Sequence, residues 1–85
     1  MEAAITILAP VVAQLLSDLF AKLTGKASTG ALSADSFQMY LKAAYDIITK
    51  GSAIVSELRG GSTKYDGWTD ADYVRELTPP TWDEL

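Results

Sequence analysis

The sequence contains neither cysteine nor histidine in its 85 residues. The absence of cysteine excludes disulfide bonds and thiolate chemistry, and it leaves the redox compartment unreadable. The absence of histidine removes imidazole acid–base catalysis, and without either residue the usual zinc sites are excluded as well. A chain this short buries only about 60–65% of its unfolded surface. Such chains usually rely on a staple, a metal or a partner chain.

Basic residues are few, and they do not cluster. Up to Lys64 the chain has six basic and five acidic residues, whereas from Tyr65 onward it has six acidic residues and one arginine. The net charge of −4 therefore comes entirely from the C-terminal tail. Because phosphate contacts need clustered lysine and arginine, the sequence predicts no nucleic-acid partner.

No motif for catalysis or metal binding stands out. The tail acids between residues 66 and 76 do not follow the alternate spacing of a calcium loop. Residues 60–64 (GGSTK) lack the spacing and the following helix of a phosphate-binding loop. A catalytic carboxylate pair would need a deep cleft, for which a chain of this size has little room. We therefore predict a non-enzymatic protein with no metal and no cofactor.

The first predicted helix covers about residues 3–23 and is apolar around most of its circumference, with one thin polar line. Pro10 lies within it and removes a hydrogen bond, so we expect the regular helix to begin near this residue. Residues 25–33 are predicted to form a loop. Ser33 is the expected N-cap of the next helix.

The second predicted helix, over residues 34–59, has an apolar repeat with steps of four and three. The repeat consists of Phe37, Leu41, Ala44, Ile48, Gly51, Val55 and Leu58. A period of 3.5 residues over three heptads indicates a seam that packs against another helix. Tyr40, Ile47 and Ile54 flank this seam. Gly51 lowers helix propensity and leaves open a break there, and Gly60 with Gly61 is expected to end the helix.

These patterns predict an all-α fold, an antiparallel helical hairpin over residues 1–61 followed by an acidic, aromatic tail over residues 62–85. In the tail, Thr69 and Asp72 form a capping box that opens a short third helix at about residues 70–77. Pro79 and Pro80 end this helix, and we expect the remaining residues to be extended.

Within a two-helix hairpin, the second helix alone cannot cover a first helix that is apolar nearly all round. The tail, a second copy, another protein or lipid must therefore cover the rest. We predict a homo-oligomer, or packing against a larger structural protein. The expected interface residues are Leu8, Val12, Leu15, Leu19, Phe37, Leu41, Ala44, Ile48, Gly51, Val55 and Leu58.

The tail holds four of the eight aromatic residues, interleaved with acids. Tryptophan and tyrosine are favoured anchors at binding surfaces. We therefore list Trp68, Tyr73, Trp82 and Leu85 as residues that dock on a partner. For Trp68 and Tyr73 a second interpretation stays open, in which both fold back and cap the hairpin.

The apolar helical front, the glycine-rich elbow and the acidic tail ending in residues 79–85 (PPTWDEL) resemble the small accessory and virion proteins of bacteriophages. The resemblance implies a structural or assembly role in many copies against larger phage proteins. It also implies a location in the virion or the host cytoplasm.

The alternative is a small membrane protein of the holin type, located in the inner membrane. Residues 3–20 reach the lower limit of about 17–25 residues for a spanning helix, and Lys22 and Lys26 follow them. Gln14 and Asp18 within that span argue against insertion, since acidic groups in a short span are costly. A third hypothesis, an inhibitor that mimics nucleic acid, rests on the acidic tail alone.

Overall fold

The computed structural model describes residues 2–85, with side chains from Ala4 onward. This part of the chain forms three α-helices and one short 3-10 helix, without a β-strand. The helices are α1 (Glu2–Ser28), α2 (Ala34–Arg59), α3 (Asp70–Leu77) and the 3-10 helix Trp82–Glu84. The prediction of an all-α helical hairpin with a short third helix is confirmed.

The first helix is longer than predicted, because Gly30 and not Gly25 ends it. Gly25 remains inside α1, whereas Gly30 has a φ of +73°. The N–H of Ala31 donates to the carbonyl oxygen of Lys26 at 2.9 Å, which closes the helix in the manner of a Schellman motif. The predicted loop thus shrinks to the few residues before Ser33.

Pro10 lies inside α1, so the expectation that the regular helix begins near it is wrong. A proline in a helix removes one backbone hydrogen bond. Leu8 and Val11, on either side of Pro10, are both buried in the core. Their packing holds this part of the helix in place, which offsets the missing bond.

The second helix begins and ends where the sequence predicts. The side chain of Ser33 accepts a hydrogen bond from the N–H of Ser36 at 3.1 Å, as an N-cap does. The helix runs unbroken through Gly51 and is closed by Gly61, whose φ is +87°. A Cβ on Gly51 would lie 3.2 Å from Cγ2 of Val12, so glycine permits the close approach of α1 and α2 at this level.

The third helix begins at the predicted capping box. The N–H of Thr69 donates to the carboxylate of Asp72 at 2.8 Å, and this bond lowers the pKa of Asp72. The helix ends at Leu77, just before the two prolines. Tyr73 and Leu77, one turn apart, are both completely buried. The face that α3 buries therefore points toward the hairpin.

Hairpin and tail share one hydrophobic core. Its buried residues are Leu8, Val11, Leu15, Leu19, Tyr40, Ala43, Ile47, Ile54, Leu58, Tyr65, Tyr73 and Leu77. The last three come from the tail. The ring of Trp68 lies 4.8 Å from that of Tyr65 and 5.1 Å from that of Tyr73, measured between centroids. The tail therefore folds back on its own chain. Beyond the prolines, residues 82–84 form the 3-10 helix and Trp82 packs against the core, so the expectation that this end is extended is wrong.

Tyr73→Ala tests the contribution of the tail to this core. We expect it to lower the free energy of unfolding by about 3–5 kcal/mol, as loss of a large buried ring usually does. Tyr73→Phe is the matched control. Among the described residues the Tyr73 hydroxyl has no hydrogen-bond partner, and an unpaired buried polar group costs roughly 1–3 kcal/mol, so this variant should be at least as stable as the parent.

Urea denaturation of the three proteins measures both effects. A loss for Tyr73→Ala within the roughly 0.5 kcal/mol typical of surface substitutions would contradict a core role for the tail.

Candidate interaction face

The stripe of α2 that packs on α1 is the one that flanks the predicted seam. Tyr40, Ile47 and Ile54 are each at most 4% exposed. Ala43 and Leu58 complete this buried stripe. Leu58 and Gly51 of the predicted seam are buried as well, whereas its other side chains lie next to this stripe and are turned partly toward solvent.

The predicted interface residues consequently divide into three groups. Buried inside the chain are Leu8, Leu15, Leu19, Gly51 and Leu58. Half-buried are Val12, Ala44 and Val55. Exposed are Phe37, Leu41 and Ile48, at 43%, 51% and 51%. The first group lies in the core of the chain, and Leu8, Leu19 and Gly51 also line the groove between α1 and α2 from below. These five residues offer little surface to a partner.

The accessible residues along the groove between α1 and α2 form one surface, which we call the uncharged face. It comprises Ile5, Ala9, Val12, Leu16, Phe20 and Leu23 of α1 with Phe37, Leu41, Ala44, Ile48, Ser52 and Val55 of α2. These residues line two shallow depressions along the groove between the helices. Among the described residues that line them, Arg59 at the open end alone carries a charge.

Two large side chains of this region were missing from the predicted interface. Phe20 is 65% exposed and lines the groove, and Tyr45 is 69% exposed one turn along α2 from Leu41. Phe20 continues the apolar steps of four and three that begin at Ile5, so the spacing in α1 was consistent with an exposed stripe through this residue. The stripe could not be distinguished in the sequence, because α1 is apolar around most of its circumference.

The charged side chains of the hairpin that have defined partners lie on the tail side. Lys22 Nζ is 5.4 Å from the ring centroid of Trp82, a cation–π geometry. Lys50 Nζ donates to the carbonyl oxygen of Glu76 at 3.1 Å, and the hydroxyl of Tyr40 donates to a backbone oxygen of Leu85 at 3.1 Å. These contacts hold the tail across the hairpin.

The predicted docking residues of the tail all lie against their own chain. Tyr73 is fully buried, so the docking prediction is wrong for it. Trp68, Trp82 and Leu85 are half-buried and pack against the core. For Trp68 and Tyr73 the structure matches the interpretation in which they fold back and cap the hairpin.

Much of α1 remains uncovered despite these contacts. Over Ala4–Ser28 the helix is long and apolar enough to cross a membrane, yet only 22% of its most apolar window is buried inside the chain. The core helix of a soluble protein would be mostly buried. The uncovered part of α1 contributes half of the uncharged face.

Comparison of the chain with known protein families, with characterised proteins and with solved structures found no match.

Tyr65, a buried residue of the tail, provides a test based on pH. Burial of the ring and a hydrogen bond from its hydroxyl to the Glu57 carboxylate raise the pKa of Tyr65 to about 12. The folded state thus holds this proton more tightly than the unfolded state, whose tyrosine pKa is near 10. The resulting stabilisation is fully present below pH 10 and is lost as the pH rises from about 10 to 12.

We expect the free energy of unfolding of the parent to fall more steeply over this interval than that of Tyr65→Phe. Denaturant titrations at several pH values measure the two slopes. Tyr45→Phe, which alters an exposed ring, is the control and should follow the parent. Equal slopes for the parent and Tyr65→Phe would contradict the proposed contact.

Proposed function

We propose that this protein is a non-enzymatic assembly component that binds a protein surface through its uncharged face. The observation that carries the proposal is the exposure of large apolar side chains along one continuous side of the hairpin. Contiguous apolar patches of this kind usually mark interaction sites. A small virion or accessory protein of a phage, in the virion or the host cytoplasm, would fit this role and the layout of the chain.

The distribution of charge supports a protein partner. Interfaces have cores depleted of charged residues and enriched in aromatic ones. The uncharged face has this composition, and its two phenylalanines, Phe20 and Phe37, are 65% and 43% exposed. The acidic tail lies on the other side of the hairpin, where it keeps the assembled protein soluble.

The chemistry of the side chains also favours binding over catalysis. Among the described residues, acidic side chains do not gather in a group that could hold a metal ion. The lowered pKa of Asp72 is explained by its role in capping α3. The depressions on the uncharged face are lined mainly by apolar side chains, and no carboxylate is among the described residues that line them.

The second candidate is a membrane protein with α1 in the bilayer, favoured by the length and composition of this helix. Insertion would separate α1 from α2 and α3, with which it shares the core. It would also bring Asp18 into the hydrocarbon region at considerable cost. These losses make docking on a protein the better-supported function.

Ile48→Lys and Val74→Lys form a matched pair that tests the proposal. Both residues are β-branched and exposed, at 51% and 41%, but Val74 lies on α3, away from the uncharged face. Size-exclusion chromatography with light scattering, without detergent, should show the parent as a soluble species heavier than the 9.1 kDa monomer. Burying an unpaired charge costs several kcal/mol, so Ile48→Lys should weaken association more than about a hundredfold.

Val74→Lys should retain the mass of the parent, and circular dichroism should show all three proteins to be helical. Association that survives Ile48→Lys but is lost in Val74→Lys would place the contact on the other side of the molecule. Protein recovered only in the membrane pellet would instead support the second candidate.

A further inference from the structure

The two ends of the uncharged face differ in the size of the side chains that they expose. Toward the α1–α2 loop it presents large exposed side chains, namely Phe20, Phe37, Leu41 and the adjoining Tyr45. The other end is a depression whose lining includes the small residues Ala9, Gly51, Ser52 and Ser56. The depression at the loop end is thus bordered by large exposed side chains, whereas the depression at the other end has smaller residues in its lining.

We infer that the occupant of the uncharged face is a second copy of this chain, packed antiparallel, an inference that rests on the proposed function. In this arrangement the large exposed side chains at the loop end of each copy enter the depression at the other end of its partner. A two-fold interface repeats each contact, since residue i meets j wherever j meets i. A parallel dimer would instead oppose the large exposed side chains of the two copies and leave the depression that contains Gly51 and Ser52 unfilled in each of them.

The register of the hairpin locates the two-fold axis. Gly51 is level with Val12, so Leu41 lies at nearly the same height as Phe20 on the neighbouring helix. Ile48 lies about midway between this exposed pair and the centre of the depression at the other end. An axis that reverses the helix direction runs across both helices. Each helix then packs on its own counterpart, with Leu41 of one copy near Ser52 of the other.

The size of the face suits such a dimer. The 26 residues of α2 span about 39 Å at 1.5 Å per residue. The axes of two packed helices lie about 8–10 Å apart, so each helix contributes about that width to the face. Side by side, the two helices present a surface of roughly 700 Å². A stable interface of standard size buries about 800 Å² on each partner. A second hairpin of the same length and width covers the whole face.

The charges of the chain are compatible with self-association. The tail, which carries the negative excess, lies on the far side of a molecule 16 Å thick. In the dimer the two tails would lie on opposite outer surfaces, farther apart than the Debye length of about 8–10 Å. An anionic lipid surface, in contrast, would repel a chain with a net charge of −4.

Single cysteines test the arrangement, because the natural chain contains none. Ile48→Cys should form a disulfide-linked dimer on mild oxidation, since it lies near the axis. An equimolar mixture of Leu41→Cys and Ser52→Cys should link to each other. Neither should link to itself, because the two positions are about 16 Å apart along α2 and a disulfide needs Cα atoms within about 7 Å. Val74→Cys is the control and should remain unlinked.

Light scattering of the parent should give twice 9.1 kDa. A larger soluble assembly, or a dimer in which Leu41→Cys and Ser52→Cys fail to link when mixed, overturns the antiparallel dimer and leaves the proposed function standing. A species of 9.1 kDa at every concentration, with or without Ile48→Lys, overturns the dimer and removes the support for the proposed function as well.

Discussion

The helix α1 packs against α2 along one stripe and against the tail along another, and the rest of the molecule depends on what these two contacts leave uncovered. Four residues of α1 are buried, namely Leu8, Val11, Leu15 and Leu19. The side of α1 that faces neither element still carries Phe20 and Leu16. None of the elements formed by residues 2–85 lies over this side, so an apolar surface remains on this part of the chain.

The tail stabilises the hairpin and also separates its charged side from its uncharged side. Tyr73 and Leu77 enter the core, while Lys22 and Lys50 contact the tail from the outside. The acids of the tail are thereby held away from the groove between α1 and α2. A molecule with one uncharged side and one acidic side can bind a partner through the first while the second keeps it in solution.

The candidate site could be predicted from the sequence only in part. The repeat from Phe37 to Leu58 identified the apolar residues of α2, but it could not tell which of two neighbouring stripes faces α1. The stripe through Tyr40 and Ile47 became the core, and Leu41 with Ile48 was left outside. The two stripes are adjacent around α2. A small rotation of the helix about its own axis would therefore bury one stripe in place of the other.

The sequence by itself determined the bounds of α2 and α3, because caps, glycines and apolar periodicity act through neighbours along the chain. Ser33, Gly61 and the Thr69–Asp72 capping box stand where local chemistry requires them. Only the tertiary structure decided that the tail folds back and that the uncharged face stays open. These outcomes depend on which apolar surfaces meet across long distances in sequence. Burial is non-directional, so composition cannot specify the partner of each surface.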